Sequence, residues 1–327
     1  MMDNGQMRQK VLITAGGEPS KAAEHREWLY LLLGDLIAGV LKEAEVVCLP
    51  LEEVLTDISA LIVGFELSEN VQQKLEACGQ PYLSLAIHPL RYLDDIFFAF
   101  RTNSQAMLKT LRTHEVDPVL CRVYAGMVKA TVLKSKKGAL LPSDTLLLIG
   151  QTERDMVVYD GKSYLSLIDF TDKIITMAAA HRHVVFKPHP YARNSRTMYR
   201  QLKARLGNVV ITRANIYHLL SQPTLSHVCA LNSSVLYEAE MFKKAVTFLY
   251  KRDFSRAAIG IYDAWLLGTF WSTLLVPHVA TVPSDIVLPF RPDRLRIALN
   301  DFWSYGEISG KIAMMDLVKS TLRRYFR

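Results

Sequence analysis

The stretch TLLLIGQTERD, residues 145–155, decides how the chain must fold. Its first six residues are almost wholly apolar, which fits a strand covered by helices on both faces of a parallel sheet. A short polar turn follows at once. HVVFK (183–187), NVVIT (208–212), 225–230 and 245–250 repeat the pattern. Helical spacing fills the intervals 165–181, 197–206, 216–221 and 234–242. Strands alternating with helices at this interval predict βαβ units and a parallel sheet.

Upstream, the same alternation appears in KVLIT (10–14), a helix over 21–41, and strands at 45–49, 60–64 and 82–87. Residues 90–114 read as helical, with Phe97, Phe98 and Phe100 in the core. The stretch KSKKGALLPSD (134–144) has a lysine run, a glycine and a proline, and reads as a linker. Beyond Pro289 the pattern is mainly helical. The expected class is therefore α/β, with two Rossmann-like domains facing a central cleft. The expected division is residues 1–140, residues 141–300, and a C-terminal helix over 301–327 packing back on the first domain. A length of 327 residues, half of them hydrophobic, suits two cores better than one.

Lys and Arg number 39 against 32 Asp and Glu, a formal charge of +7. A basic balance favours anionic partners such as nucleotides, acidic sugars or anionic lipid. Cys48, Cys78, Cys121 and Cys229 are widely spaced and form no CxxC pair, so a reducing compartment is expected. The first residues lack a signal-peptide pattern. No apolar run reaches the length of a membrane span. The expected location is cytoplasmic, with peripheral contact at the inner face of the inner membrane. The segment GKIAMMDLVKSTLRRYFR (310–327) suits such contact as a basic amphipathic helix.

Four groups stand at predicted strand ends, where α/β proteins expose their chemistry. Gln151 and Asp155 form QxxxD after 145–150. A carboxylate there suits a general base or a nucleophile, although polar turns collect the same residue types. Lys187 and His189 lie in KPHP, where two prolines pin the backbone and leave the imidazole able to donate to a phosphate. Asn232, Ser233 and Ser234 precede a helical segment carrying Glu238. This is a cap pattern that also serves as an anion site. In the first half, Glu66, His88 and Arg91 follow strands, and Asp94 and Asp95 come next. No GxGxxG, GxxxxGK[ST], HExxH, GxSxG or strand-end DxD is present, which removes support for dinucleotide, P-loop, zinc-protease and metal-held sugar-nucleotide chemistry.

GQxxxD, KPHP and LNSS…E, in that order, together with HPLRYLDDIFFAFRTN (88–103), resemble the bacterial β-Kdo glycosyltransferases of capsule and O-antigen (lipopolysaccharide) synthesis. HP and Ser-Ser elements also occur in bacterial sialyltransferases, and KPHP in glycerophosphotransferases. The β-Kdo resemblance implies a GT-B fold and transfer of Kdo from CMP-β-Kdo to a saccharide or lipid-linked saccharide. It implies no cofactor, no metal and no nucleic-acid partner. It also implies retention of configuration, with Asp155 as nucleophile and Gln151 orienting it or the donor. Lys187 and His189 would hold the CMP phosphate, with Ser233 and Ser234 on its oxygens and Glu238 on the ribose. Glu66, His88 and Arg91 would face the acceptor. The alternatives are a transferase for another CMP- or CDP-linked donor, or a non-catalytic basic protein that binds nucleic acid or a membrane surface.

Overall fold

The computed structural model describes residues 10–16, 19–42, 44–57, 59–93, 97–134, 140–153, 158–160, 162–250, 259–260 and 267–279. In chain order it opens with β1 (Lys10–Ala15), α1 (Pro19–Val40), β2 (Glu45–Cys48), α2 (Leu51–Val54), β3 (Leu61–Phe65), α3 (Glu69–Ala77) and β4 (Tyr82–Ile87). Next come β5 (Phe98–Thr102), α4 (Gln105–Arg112), α5 (Pro118–Lys134), β6 (Thr145–Ile149), α6 (Thr171–Ala179), β7 (His183–Lys187), α7 (Ser195–Leu206), β8 (Val209–Ile211) and α8 (Ile216–Leu220). The series ends with β9 (Leu225–Ala230), α9 (Ser234–Met241), β10 (Ala245–Phe248), β11 (Ile259–Gly260) and α10 (Gly268–Leu275).

The chain gathers into two compact units. One comprises residues 1–88, 94–116 and 257–327; the other comprises 89–93 and 117–256. The expected boundary near residue 140 is therefore displaced, because α5 groups with the second unit. The expected extent of the second domain to residue 300 is corrected as well. β11 pairs with β5, and α10 packs on α1 and α4, so the described residues 259–260 and 267–279 belong with the first unit. Residues 301–327 lie outside the described residues.

The first unit holds a six-stranded sheet in the order β11-β5-β4-β3-β1-β2. β2, β1, β3 and β4 run parallel, whereas β5 and β11 pair antiparallel. Alternation along the strands fills two cores. Val11, Ile13, Leu61, Val63 and Phe65 pack toward α1 and α10, while Leu12, Ile62 and Tyr82 pack toward α2 and α3. Trp28 of α1 and Trp271 of α10 are fully buried. Trp28 meets Phe65 at 4.9 Å between ring centres, and Trp271 meets Phe100 at 6.1 Å. Phe97, Phe98 and Phe100 are core residues as expected, but Phe98 and Phe100 enter through a strand rather than a helix, with Phe97 just ahead of it. Leu85 opposite Phe100 and Ile87 opposite Phe98 reward an extended pairing.

The second unit holds a five-stranded, wholly parallel sheet in the order β10-β9-β6-β7-β8. The first strand in sequence, β6, lies at the centre. β7 and β8 follow on one side, β9 and β10 on the other. The order reverses between β6 and β9, and a doubly wound sheet opens a crevice at such a point, outside the strand carboxyl ends. Leu146, Leu148, Val184 and Phe186 pack beneath α6 and α7. On the other face α9 packs on β9 and β10, and α5 packs on α8 and α9. Among the described residues no helix is long and apolar enough to cross a membrane.

Candidate active site of the second unit

At the reversal point, β6 runs into Gly150 and Gln151 while β9 runs into Leu231 and Asn232. These two ends are joined reciprocally. The Asn232 amide donates to Gln151 Oε1 at 3.2 Å, and Gln151 Nε2 donates to the Asn232 carbonyl at 3.5 Å. One carboxamide thus satisfies the backbone of the neighbouring loop, which fixes both strand ends. Gly150 permits the third. Its amide donates to the Lys187 carbonyl at 2.9 Å, and a Cβ there would sit 3.2 Å from the Phe186 ring and 3.3 Å from the His189 amide. A side chain there would need these neighbours to give by a few tenths of an ångström.

A cavity of about 170 Å³ opens beside these ends. Gln151, Glu153, His189 and Asn194 supply its polar wall, and Leu167 and Met198 supply apolar surface. The Tyr191 amide donates to His189 Nδ1 at 3.2 Å. The neutral imidazole therefore carries its proton on Nε2 and acts there as a donor. Glu153 Oε1 accepts from the Asn194 amide at 2.7 Å, tying the loop after β6 to the start of α7. Backbone donors at Asn194 and Arg193 hold the Glu153 carboxyl below its ordinary pKa.

Lys187 is placed otherwise. It does not line the cavity. Alternation along β7 turns Phe186 toward α7 and Lys187 toward the opposite face. Desolvation alone pushes its ammonium pKa down, and no carboxylate among the described residues pairs with it. Ser233 caps α9, its hydroxyl accepting from the Val235 amide at 3.3 Å, and Ser234 opens the helix. Neither lines the cavity.

Glu238 departs from its expected role on a ribose. It is 2% exposed, and its Oε1 accepts from the Arg91 amide at 2.8 Å and from the Tyr217 hydroxyl at 2.9 Å. Burial pushes its carboxyl up to about pKa 7. It acts as an internal tie, holding segment 89–93 against α8 and α9 through the Arg91 backbone. Tyr92 completes that tie. Its hydroxyl donates to the Cys121 carbonyl at 2.9 Å, and its ring lies edge-on to Phe242.

In the first unit, Glu66 follows β3 and is exposed, with a left-handed φ of 49°. Its amide donates to the Leu85 carbonyl at 2.7 Å. A Cβ on Gly16 would stand 2.4 Å from its carbonyl oxygen, so only glycine fits at the end of β1. The order β2-β1-β3-β4 reverses between these two strands, so Glu66 also sits at a reversal point. The His88 amide donates to the Phe97 carbonyl at 2.7 Å. Asp155, Asp94 and Asp95 lie outside the described residues. Glu153, Asn194 and Tyr164 of the cavity wall are additions from the structure. Among the described residues, no group of three or more His, Cys, Asp or Glu side chains is placed to hold a metal.

These features define a class: a mixed α/β protein with two parallel-rich sheets and a cavity at the β6 and β7 carboxyl ends of the second sheet. No family model matches the chain, and no curated protein matches it. Among solved structures it is similar to Thermosulfurimonas dismutans KpsC, beta Kdo 2,7 transferase. Identity there is 12% with a TM-score of 0.41, over 83% of this chain and 89% of that one. It is also similar to Thermosulfurimonas dismutans KpsC, beta Kdo 2,4 transferase, at 17% identity and a TM-score of 0.39, over 73% and 79%.

Proposed function

We propose that the chain is a glycosyltransferase that moves Kdo from CMP-β-Kdo to a saccharide or lipid-linked saccharide, with the second unit binding the donor. The observation that carries this reading is the convergence of the β6, β7 and β9 ends, locked by the Gln151–Asn232 pair and the close approach at Gly150. His189 offers an Nε2 proton to a phosphate oxygen. Lys187 and the amides opening α9 supply positive potential on the far side of the same strand ends. A single phosphate in the leaving group asks for less neutralisation than a pyrophosphate. An imidazole, an ammonium and a helix start suffice without a metal. Glu66 is assigned to the acceptor side, with His88 and Arg91.

Asp155 is the proposed nucleophile. Its carboxylate forms a bond to the anomeric carbon as the bond to the phosphate oxygen breaks and CMP departs. An acceptor hydroxyl then attacks the same carbon, loses its proton, and releases Asp155. Two inversions return the original configuration. Asp155→Ala or Asp155→Asn should abolish transfer while CMP binding, followed by calorimetry, stays within a few-fold. Mass spectrometry of the wild-type chain with donor alone should find one sugar on the Asp155 peptide. Full activity in either variant removes Asp155 from the mechanism, and turnover of CMP-sialic acid but not CMP-Kdo overturns the donor assignment.

A further inference from the structure

Helix α5 is apolar on the side that faces outward as well as on the side that packs. Cys121 and Ala125 face inward, against α8 and α9. A surface helix packed this way ordinarily turns polar residues to water on its other side. Here Val119, Val123 and Met127, spaced four residues apart, are 56%, 53% and 59% exposed, and Leu133 is 50% exposed. Gly126 and Ala130, both exposed, fall on the same stripe. Just beyond the helix, Leu140 is 81% exposed.

The charges within the helix and the stretch after it are all positive, and Asp117, which accepts from the Val119 amide at 2.7 Å, stands just ahead of them. From Pro118 to Ser143 the sequence has no Asp or Glu, and it carries Arg122, Lys129, Lys134, Lys136 and Lys137. Arg122 and Lys134 are exposed on either side of the apolar stripe. A protein partner would need a matching apolar groove with an acidic rim. A bilayer with anionic headgroups supplies both parts at once: a soft apolar layer for valine and methionine, and phosphates for the flanking cations.

We propose that the outward face of α5 is a docking surface for an anionic lipid bilayer, entered by Val119, Val123, Met127 and Leu133 and held by Arg122, Lys129 and Lys134. This role is independent of the chemistry proposed for the second unit. The full-length chain is mixed with vesicles of phosphatidylcholine alone, and with vesicles containing a third phosphatidylglycerol, and bound protein is measured by co-sedimentation. The chain should bind the phosphatidylglycerol vesicles and be left in the supernatant with phosphatidylcholine.

Two pairs of substitutions separate the contributions. Val123→Ser with Met127→Ser leaves the charge unchanged and should weaken binding at least ten-fold. Lys129→Gln with Lys134→Gln should weaken it by more than ten-fold, since each cation near an anionic surface contributes about five-fold. Val123, Met127 and Lys134 are exposed and Lys129 is half-buried, so melting temperatures should stay close to the wild type. Vesicle binding unchanged in both variants overturns the proposal, as does no binding to phosphatidylglycerol. A wild-type dimer that Val123→Ser with Met127→Ser converts to monomer assigns the face to a second copy of the chain, and overturns it too.

Discussion

Glu238 shows how one buried carboxyl couples stability to pH. In the unfolded chain it titrates near its ordinary 4.5, and in the folded chain near 7. The folded state therefore holds its proton more tightly. The associated stability is full below about pH 4.5 and is lost as pH rises through 7, a difference on the order of 3 kcal/mol. Glu238→Gln keeps an oxygen for the Arg91 amide and the Tyr217 hydroxyl but does not titrate. Urea unfolding of wild type and Glu238→Gln should diverge steadily between pH 5 and pH 8, with the variant the more stable at pH 8. Parallel profiles would show that the carboxyl is not sealed from water. The sequence revealed the position of Glu238 one turn into a helix but not its burial. That depends on segment 89–93, some 147 residues away in sequence, folding over it.

Among the secondary-structure elements, those that were legible share one property. β4, β6, β7 and β9 are mainly apolar runs closed by Gly, Pro or a polar turn, and their observed limits fall within a residue of those read from the sequence. The β5 segment FAFRT carries three apolar residues and two polar ones without a decisive period, so a helix is expected there, and its pairing with β4 is a long-range effect. α5 left no signal of its own, since apolar residues on opposite sides cancel the periodicity that betrays a helix. β11 is two residues long and exists only through its partner.

α4 offers a test of how such distant pieces are held. The Ser104 hydroxyl accepts from the Met107 amide at 3.2 Å and lies 2.8 Å from His278 Nε2. It therefore caps α4 and also hooks the returning chain to it. Ser104→Ala should cost about 1 kcal/mol for the cap alone. The loss should exceed that value by the contribution of the hook, and Ser104→Thr should recover most of it, as read from urea denaturation. A loss no greater in the wild type than in a His278→Ala background would show that the hook contributes nothing.

For the whole molecule, the candidate site was more legible than the domain plan. Strand-end positions such as Gln151, His189 and Asn232 follow from local pattern, because a parallel sheet puts its chemistry where apolar runs stop. Which unit owns a segment depends on distant packing, and the lysine-rich stretch after α5 looks like a linker while the crossing lies ahead of α5. The second unit is consequently an insertion, interrupting the first at 116/117 and handing back at 256/257, with five residues lent in advance at 89–93.

That threading governs how the molecule answers mechanical load. Tension applied through attachment points at residues 10 and 279 reaches the first sheet directly, whereas the inserted unit is strained only after its host has torn open. Optical tweezers should therefore record a fixed order of rips. The last should release about 140 residues of slack, and a ligand of the inserted unit should raise the force of that rip and leave the first one where it was.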